Sequence, residues 1–306
     1  MQRRILVFGA NGQVGRAILR QAGDAAIGFD RASVDISEAA SVRRAMLEHP
    51  ASAIVNAAGY TAVNQAETDK DAALRANRDG AAVLVAAASS AEVPLVQIST
   101  DYVFDGAKRT PYREDDPVAP LNVYGLSKEA GERLVRSTCP RHLILRTSWV
   151  FSPHGANFVR TMLQLGAERG ELKVVDDQTG CPTSAADLAG AILAVLAKAA
   201  EPGFGAWGTY HYRGGDILTW HGFARLIFEQ AACYGYAAPR ITPIDTAGFP
   251  SKANRPAYSV LSTEKLTSTF GIEPSPLRDS LHECLDVLLG QKVHKPCAAT
   301  GLARRP

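Results

Sequence analysis

The sequence predicts an α/β fold, in which a doubly wound parallel sheet is followed by a smaller C-terminal lobe. Short apolar runs alternate with helical stretches from residue 4 to about residue 151, which is typical of βαβ units. A glycine-rich turn joins the first apolar run to the first helical stretch. Beyond residue 151 the alternation becomes irregular, and a chain of 306 residues is long enough to form a second lobe.

The first predicted strand, residues 4–8, runs into the turn GANGQVG at residues 9–15, and a helical stretch follows at 16–21. This order is typical of a dinucleotide-binding (Rossmann) fingerprint, whose glycines allow a tight turn, a close approach to a pyrophosphate and close helix–strand packing. The spacing is GxxGxxG rather than GxGxxG, so an ordinary glycine turn explains the glycines alone equally well. The turn residues expected to bind a cofactor are Gly9, Asn11, Gly12, Gln13, Val14 and Gly15.

The second predicted strand, residues 25–29, ends in Asp30. A carboxylate about twenty residues past the first glycine is where the fingerprint binds the adenosine ribose. Arg31 follows and could accommodate a 2′-phosphate, so the choice between NADPH and NADH stays open. Asp35 and Ile36 are candidates to cover the adenine, although Asp35 could instead cap the helical stretch that begins at Ser37 or fix a turn.

The third predicted strand, residues 53–56, is followed by Ala58, Gly59, Tyr60 and Thr61. Small residues at the carboxyl end of a strand let a flat ligand lie against the backbone. This segment is therefore predicted to form one wall of the cofactor site. A long helix is predicted over residues 71–90.

The fourth predicted strand, residues 95–98, leads into Thr100 and Asp101. Ligands of open parallel sheets lie beyond the carboxyl ends of the strands, so both side chains are well placed for chemistry. Thr100 could donate a hydrogen bond to a substrate carbonyl, although a hydroxyl that fixes a turn is the more common role.

Tyr124 and Lys128 lie four residues apart in the stretch YGLSK and therefore on one face of a predicted helix. An ammonium beside a phenol favours the phenolate, so Lys128 is expected to lower the tyrosine pKa from about 10. Such a phenol can give a proton to a carbonyl oxygen near neutral pH. The spacing alone is weak, because many helices carry it by chance.

The remaining segments supply one more strand of the sheet and a second lobe. Strands are predicted at 143–146 and 208–212, and helices at 157–169, 185–199 and 220–232. The predicted division is a dinucleotide-binding domain at 1–150 with a returning segment near 180–213, a substrate-binding lobe at 151–179 and 214–290, and a flexible tail at 291–306.

Composition excludes several classes of protein. The net charge is only +2, and no basic stripe or cationic amphipathic helix stands out before the tail, so neither a nucleic acid nor a membrane is expected as a partner. The five cysteines and seven histidines show no metal-binding spacing, so no metal site is predicted. We see no signal peptide and no apolar run of transmembrane length, which favours a cytoplasmic location.

Several motifs, in order from Ile5 to roughly Ile272, resemble those of one family. They are GANGQVG, NAAGYTAVNQAE, STDYVFDG, PLNVYGLSKEAGE, RTSWVF, PHGANFV, DQTGCPTSAADLA and RPAYSVLSTEKL. The chain resembles the dTDP-4-dehydrorhamnose reductases, which belong to the extended short-chain dehydrogenase/reductases. The resemblance implies reduction of the 4-keto group of dTDP-4-dehydro-β-L-rhamnose by NADPH or NADH.

The resemblance also implies roles for individual residues. Tyr124 would act as general acid with Thr100 beside it, and Lys128 would hold the nicotinamide ribose. Asp101 and Trp149 would contact the sugar, although a tryptophan that only packs the core or its rim would satisfy the sequence equally. The residues that match cofactor positions of the family are Gly12, Gln13, Val14, Asp30, Asp35, Ile36, Gly59, Tyr60 and Thr61.

Arg255 is a candidate to bind the diphosphate of the substrate, because a guanidinium suits phosphate oxygens. A surface salt bridge would explain an arginine at this position at least as well. Ala17 and Ala186 stand where some bacterial relatives carry glutamates at a metal-assisted dimer contact, so a homodimer stays an open prediction and a metal is not expected. Two alternative functions also stay open. One is a reductase or epimerase of another nucleotide-linked keto-sugar, and the other is a non-catalytic regulatory subunit.

Overall fold

A computed structural model of the chain describes residues 3–290, so the tail predicted at 291–306 lies outside the described residues. The strands are β1 Arg4–Phe8, β2 Ala26–Phe29, β3 Ala51–Asn56, β4 Leu95–Thr100, β5 His142–Thr147, β6 Val150–Phe151, β7 Glu171–Val175, β8 Thr179–Gly180, β9 Thr183–Ser184, β10 Gly208–His211, β11 Leu218–Thr219 and β12 Arg240–Ile244. The helices are α1 Gln13–Ala22, α2 Ala39–Glu48, α3 Val63–Ala66, α4 Lys70–Leu74, α5 Gly80–Ser90, α6 Val123–Thr138, α7 Phe158–Glu168, α8 Ala185–Ala199, α9 Trp220–Ala231, α10 Glu264–Phe270 and α11 Leu277–Leu289.

The central sheet has six parallel strands in the order β10-β5-β4-β3-β1-β2. This order confirms the predicted doubly wound sheet. The chain runs outward from β1 to β2 and then returns to the other side of β1 with β3. Such a reversal opens a crevice at the carboxyl ends of the two strands that flank it, where α/β proteins bind their ligands.

Both faces of the sheet are covered, because alternate side chains of each strand point to opposite sides. Val7 packs with α1 and α8 in one core, whereas Leu6 and Phe8 pack with α2, α5 and α6 in the other. The apolar runs that predicted the strands are therefore buried on two sides, as parallel sheets require.

The later part of the chain builds a separate core from α7, α9 and α11, with Phe151, Phe223 and Leu281 at its centre. The parallel pair β7–β12 lies beside it. The strand β10 returns to the edge of the central sheet, next to β5. The division of the chain at about residue 150 stays a prediction, which the separate core supports.

The predicted single helix at 71–90 is interrupted by a wide helical turn at Arg75–Asp79, between α4 and α5. Gly131 of α6 approaches the wide turn so closely that a Cβ there would lie 2.2 Å from the carbonyl oxygen of Asn77. The side chain of Asn77 leaves this turn to bond other segments. The helical periodicity of the sequence does not predict this interruption, because the interruption depends on α6, which packs alongside.

Candidate active site

A cleft of about 720 Å³ lies at the carboxyl ends of β1, β2 and β3, in the crevice at the reversal of strand order. It brings together most of the residues predicted to bind a cofactor. These are Gly9, Asn11, Gly12, Asp30, Asp35, Ile36, Ala58, Gly59 and Tyr60. Its size is within the range of ligand sites in proteins.

The glycine turn forms the floor of this cleft. Gly9 has φ +93°, and a Cβ there would lie 2.5 Å from the backbone nitrogen of Ala58. A Cβ on Gly15 would lie 2.2 Å from the carbonyl oxygen of Gly9, so no other residue fits there. Gly12 caps α1, and no side chain of the described range caps this helix end. The first backbone N–H groups of α1 are therefore available, and such groups at a helix N-terminus can bind phosphate.

Besides Tyr124 and Lys128, four predicted cofactor residues lie outside the lining of the cleft. Gly15 and Val14 pack inside the fold, and Thr61 is exposed. Gln13 reaches the C-terminal lobe, where its Oε1 accepts hydrogen bonds from Ser152 Oγ and Asn157 Nδ2, both at 3.0 Å. In this structure Gln13 therefore connects the turn to the lobe, and a cofactor role for these four residues stays a prediction.

Asp30 lies at the end of β2 and accepts hydrogen bonds from Asn11 Nδ2 at 2.7 Å and from the Ser33 backbone at 2.9 Å. The bonds from Ser33 are the main reason why its pKa lies below the usual value, so the group is a carboxylate at neutral pH. Asp35 accepts hydrogen bonds from the backbone and hydroxyl of Ser37 and also lines the cleft. Asp35 therefore fixes a turn, whereas Glu38 is the N-cap of α2, and a contact of Asp35 with the adenine stays a prediction.

Thr100, Tyr124 and Lys128 come from β4 and α6. Asn122 fixes the start of α6, because its Oδ1 accepts from the Gly125 N–H at 2.8 Å and its Nδ2 donates to the Asn254 carbonyl at 2.7 Å. The Thr100 hydroxyl accepts from the Tyr102 N–H at 3.1 Å. The turn-fixing role of this hydroxyl is therefore present alongside any role in chemistry.

The expectation that Lys128 lowers the pKa of Tyr124 is wrong for this structure. Burial raises the pKa of Tyr124 to about 12, Asp101 adds to this rise, and the Thr100 hydroxyl opposes it. Lys128 Nζ instead donates to the Ile98 carbonyl at 2.7 Å, and burial lowers its own pKa to about 8. Four-residue spacing places the two side chains on one face of a helix, but it does not decide which way the ammonium turns.

Lys128 lies beside the cofactor wall, because a Cβ on Gly59 would come within 3.8 Å of its Nζ and within 2.8 Å of Asn77 Oδ1. Asn77 bonds both backbone groups of Tyr60 and donates to Ser127 Oγ at 2.8 Å. The buried Asn77 side chain thus joins the wall of the cleft to α6.

The predicted substrate residues lie in three different surroundings. Asp101 is buried, at 2% exposure. Trp149 is half-buried with φ +47°, and its indole stacks on Trp220 with the ring centroids 3.5 Å apart. Arg255 is half-buried and donates to Ser251 and to Asn64 Oδ1, so it is held by neutral partners.

Two residues near these groups were missed at the sequence level. Arg75 lines the cofactor cleft close enough to lower the pKa of Asp35, and Trp220 supports Trp149. No sequence signal could have found either, because the contacts join segments that are far apart in the chain.

In residues 3–290 no cluster of three or more His, Cys, Asp or Glu side chains could hold a metal ion. No helix of the same range has the length and apolarity needed to cross a bilayer.

Comparison with known proteins agrees with this geometry. A family model for the RmlD substrate binding domain matches residues 3–289. The dTDP-4-dehydrorhamnose reductase of Burkholderia thailandensis is 42% identical over 297 residues, which cover 94% of this chain and 100% of the relative. The crystal structure of a dTDP-4-dehydrorhamnose reductase from Clostridium acetobutylicum superposes with a TM-score of 0.87 at 39% identity, covering 93% of this chain and 99% of that chain.

A second solved structure, the dTDP-4-dehydrorhamnose reductase of Bacillus anthracis in complex with NADP, has a TM-score of 0.85 at 34% identity, with 93% of this chain and 99% of that chain covered. The match extends through the glycine turn, the cleft and the C-terminal lobe. The chain belongs to the dTDP-4-dehydrorhamnose reductase family.

Proposed function

We propose that this protein reduces the 4-keto group of dTDP-4-dehydro-β-L-rhamnose to give dTDP-L-rhamnose, with NADPH or NADH bound in the cleft. One observation carries the proposal more than any other. The Thr100 hydroxyl and the Tyr124 phenol meet at the end of β4, next to a cleft formed by the predicted dinucleotide-binding residues. The relatives carry the name of this reaction, and one of them is solved with NADP.

The proposed mechanism assigns proton transfer to Tyr124. The cofactor supplies the hydride when bound. A pKa of about 12 keeps the Tyr124 phenol protonated at neutral pH, which suits a general acid that protonates the sugar oxygen. Thr100 donates a hydrogen bond to the same oxygen and stabilises its developing charge. Lys128, next to Gly59, holds the nicotinamide ribose.

The remaining residues are assigned to binding. Asp30 is a carboxylate at the end of β2 and suits the adenosine ribose hydroxyls. Arg255 has neutral partners and therefore an unneutralised charge for the diphosphate. The indole of Trp149, which stacks on Trp220, contacts the sugar in this assignment. We also expect a cytoplasmic location, and a homodimer stays an open prediction.

The experiment that tests the proposal follows nicotinamide absorbance with the purified protein and dTDP-4-dehydro-β-L-rhamnose, with NADPH and with NADH. Tyr124→Phe removes the acid and should lower kcat by about 10²- to 10⁴-fold, the usual contribution of general acid catalysis. Tyr234→Phe is the matched control, because this tyrosine bonds Asp286 in the C-terminal lobe and should leave kcat unchanged. Near wild-type turnover of Tyr124→Phe would overturn the mechanism.

Two alternatives remain distinguishable in the same assay. If the protein oxidises the cofactor with another nucleotide-linked keto-sugar but not with dTDP-4-dehydro-β-L-rhamnose, it is a reductase of that other sugar. Binding of cofactor without oxidation by any keto-sugar would indicate a regulatory subunit. The presence of Thr100, Tyr124 and Lys128 together favours the enzyme.

A further inference from the structure

Trp149 lies just beyond the carboxyl end of β5, next to the strand that carries Thr100. Thr147, the last residue of β5, pairs with Thr100 in the central sheet, and Trp149 follows Thr147 by two residues. Its φ is +47°, a left-handed conformation that is strained for a bulky side chain and persists only where the surroundings enforce it. Strained residues of this kind concentrate at functional sites, so the surroundings of Trp149 bear on the chemistry.

The backbone of Trp149 is held from both sides by one segment. Ser148 Oγ donates to the Cys181 carbonyl at 2.7 Å, and the Trp149 carbonyl accepts from the Thr183 N–H at 3.3 Å. Both partners belong to the segment that runs from β8 to β9. This segment therefore keeps the left-handed residue in place.

Gly180 of β8 lies over one face of the Trp149 indole. A Cβ on Gly180 would be 2.5 Å from Cε2, 2.7 Å from Cζ2 and 2.8 Å from Nε1 of that ring. Cε2 is bonded to both of the other atoms, and a point beyond the ring edge would be closer to those two atoms than to Cε2. The observed order therefore places the Cβ position above the ring plane. Any residue with a Cβ would collide with the indole at this position.

Trp220 covers the opposite face of the same indole. The two indole planes are within 8° of parallel, and their ring centroids are 3.5 Å apart. If Trp220 were on the same side as Gly180, its atoms would be nearer to the added Cβ than those of Trp149, but the three nearest atoms all belong to Trp149. Gly180 and Trp220 thus form a slot around the indole, which we call the indole slot. Trp149 is half-buried, so part of the ring stays accessible.

The two walls of the indole slot are connected by backbone pairing. β8 and β11 are antiparallel, and Gly180 pairs with Leu218. Thr219, the next residue, is the N-cap of α9, because its Oγ1 accepts from the Gly222 N–H at 3.0 Å, and Trp220 is the first residue of that helix. The width of the slot is therefore set by backbone geometry rather than by flexible side chains.

We propose that Gly180 and Trp220 are positioning residues for the keto-sugar, because they hold the Trp149 indole by both faces and so fix the wall that the sugar contacts. This inference rests on the proposed function, in which Trp149 contacts the sugar. A wall that is fixed before the sugar arrives reduces the ordering cost of binding. The effect falls on the affinity for the sugar nucleotide, because the cofactor cleft is formed separately at the ends of β1, β2 and β3.

Steady-state kinetics test the role of the indole slot. Gly180→Ala should raise the KM for dTDP-4-dehydro-β-L-rhamnose by about 3- to 10-fold, which is the value of a well-placed aromatic contact. It should leave kcat and the KM for NADPH unchanged, as expected when only ground-state binding is lost. Trp220→Leu should act in the same direction, and Trp220→Phe should recover most of the loss, because it keeps a ring for stacking. The matched control is Gly190→Ala, whose Cβ would lie at an ordinary contact distance of 3.5 Å from Gln21 Oε1.

A double variant shows whether Gly180 acts through Trp149. In a Trp149→Ala protein no indole is left to displace, so adding Gly180→Ala should not raise the KM for the sugar nucleotide further. A further rise as large as that in the wild-type background would show that Gly180 affects the sugar by another route, and this would overturn the inference.

Far-ultraviolet circular dichroism supplies a readout without substrate, because two stacked indoles couple electronically. Trp207, the third tryptophan, packs against Phe204, so the coupled signal comes from Trp149 and Trp220. The signal should weaken in Gly180→Ala, disappear in Trp149→Ala and stay in Trp207→Phe.

The two measurements together decide the inference. An unchanged coupled signal in Gly180→Ala would refute the indole slot, and a weakened signal with an unchanged KM for the sugar nucleotide would refute its positioning role. If Gly180→Ala does not fold, the comparison of Trp220→Leu with Trp220→Phe decides in the same way. Absence of cofactor oxidation by the wild type would instead remove the proposed function, and the coupled signal would still report on the slot.

Discussion

The buried ion pair between Arg146 and Glu132 joins β5 to α6, the helix that carries Tyr124 and Lys128. Arg146 Nε lies 3.0 and 3.2 Å from the two carboxylate oxygens of Glu132, and Nη2 lies 2.7 Å from Oε2. The side chains are 2% and 0% exposed. The guanidinium also lies 5.0 Å from the centre of the Phe104 ring. Glu132 follows Lys128 by one helical turn, so the pair fixes the part of α6 that carries the site.

Replacing Arg146 with Met keeps most of the side-chain volume but leaves the Glu132 carboxylate without its main partner. Removal of one partner of a buried pair costs about 3–5 kcal/mol of unfolding free energy, because the other charge stays desolvated. We expect the lower end of this range, about 3 kcal/mol. The reason is that Arg136 Nη1 still donates to Glu132 Oε2 at 2.6 Å.

Urea unfolding followed by tryptophan fluorescence and circular dichroism measures this loss. The matched control is Arg133→Met on the same helix, whose side chain is 71% exposed and bonds Glu129, and which should not change stability measurably. The double variant Glu132→Leu with Arg146→Met should recover most of the loss, because no unpaired charge remains. A single Arg146→Met variant as stable as Arg133→Met would refute the reasoning.

The same pair gives a pH dependence with a defined sign. Arg146 holds the pKa of Glu132 below its usual 4.5 against the effect of burial. A carboxyl group with a lowered pKa in the folded state contributes stability above its unfolded pKa, and that contribution is lost as pH falls through the folded pKa. Wild-type stability should therefore decrease below pH 4.5, and Arg146→Met should show a smaller decrease.

Two further predictions concern the cofactor cleft. Gly59→Ala should lower the free energy of unfolding by about 1–2 kcal/mol, because its Cβ would lie 2.8 Å from Asn77 Oδ1. The control Gly190→Ala, within α8, should raise the free energy of unfolding by about 0.5–1 kcal/mol. Equal effects of the two substitutions in urea unfolding would contradict this. Arg31→Ala should raise the KM for NADPH by about 2- to 5-fold and leave that for NADH unchanged, since an exposed cation adds at most about 1 kcal/mol to binding of a 2′-phosphate. Equal changes for the two cofactors would show that Arg31 does not bind that phosphate.

The sequence alone determined the order and type of the main elements. Val7 and Leu6 belong to a short apolar run bounded by a glycine turn, and such runs form buried parallel strands wherever the chain alternates them with helices. Local geometry also placed Tyr124 and Lys128 on one helix face. These predictions succeeded because periodicity and turn chemistry depend on residues only a few positions apart, and the sequence itself gives those neighbours.

Tertiary structure alone decided the surroundings of the functional groups. The direction of the Tyr124 pKa shift follows from its burial, and burial likewise raises the pKa of Asp101. The stacking of Trp149 on Trp220 joins segments that are 71 positions apart in sequence. Desolvation and long-range contact depend on which surfaces the fold brings together, and no local pattern in the sequence contains that information.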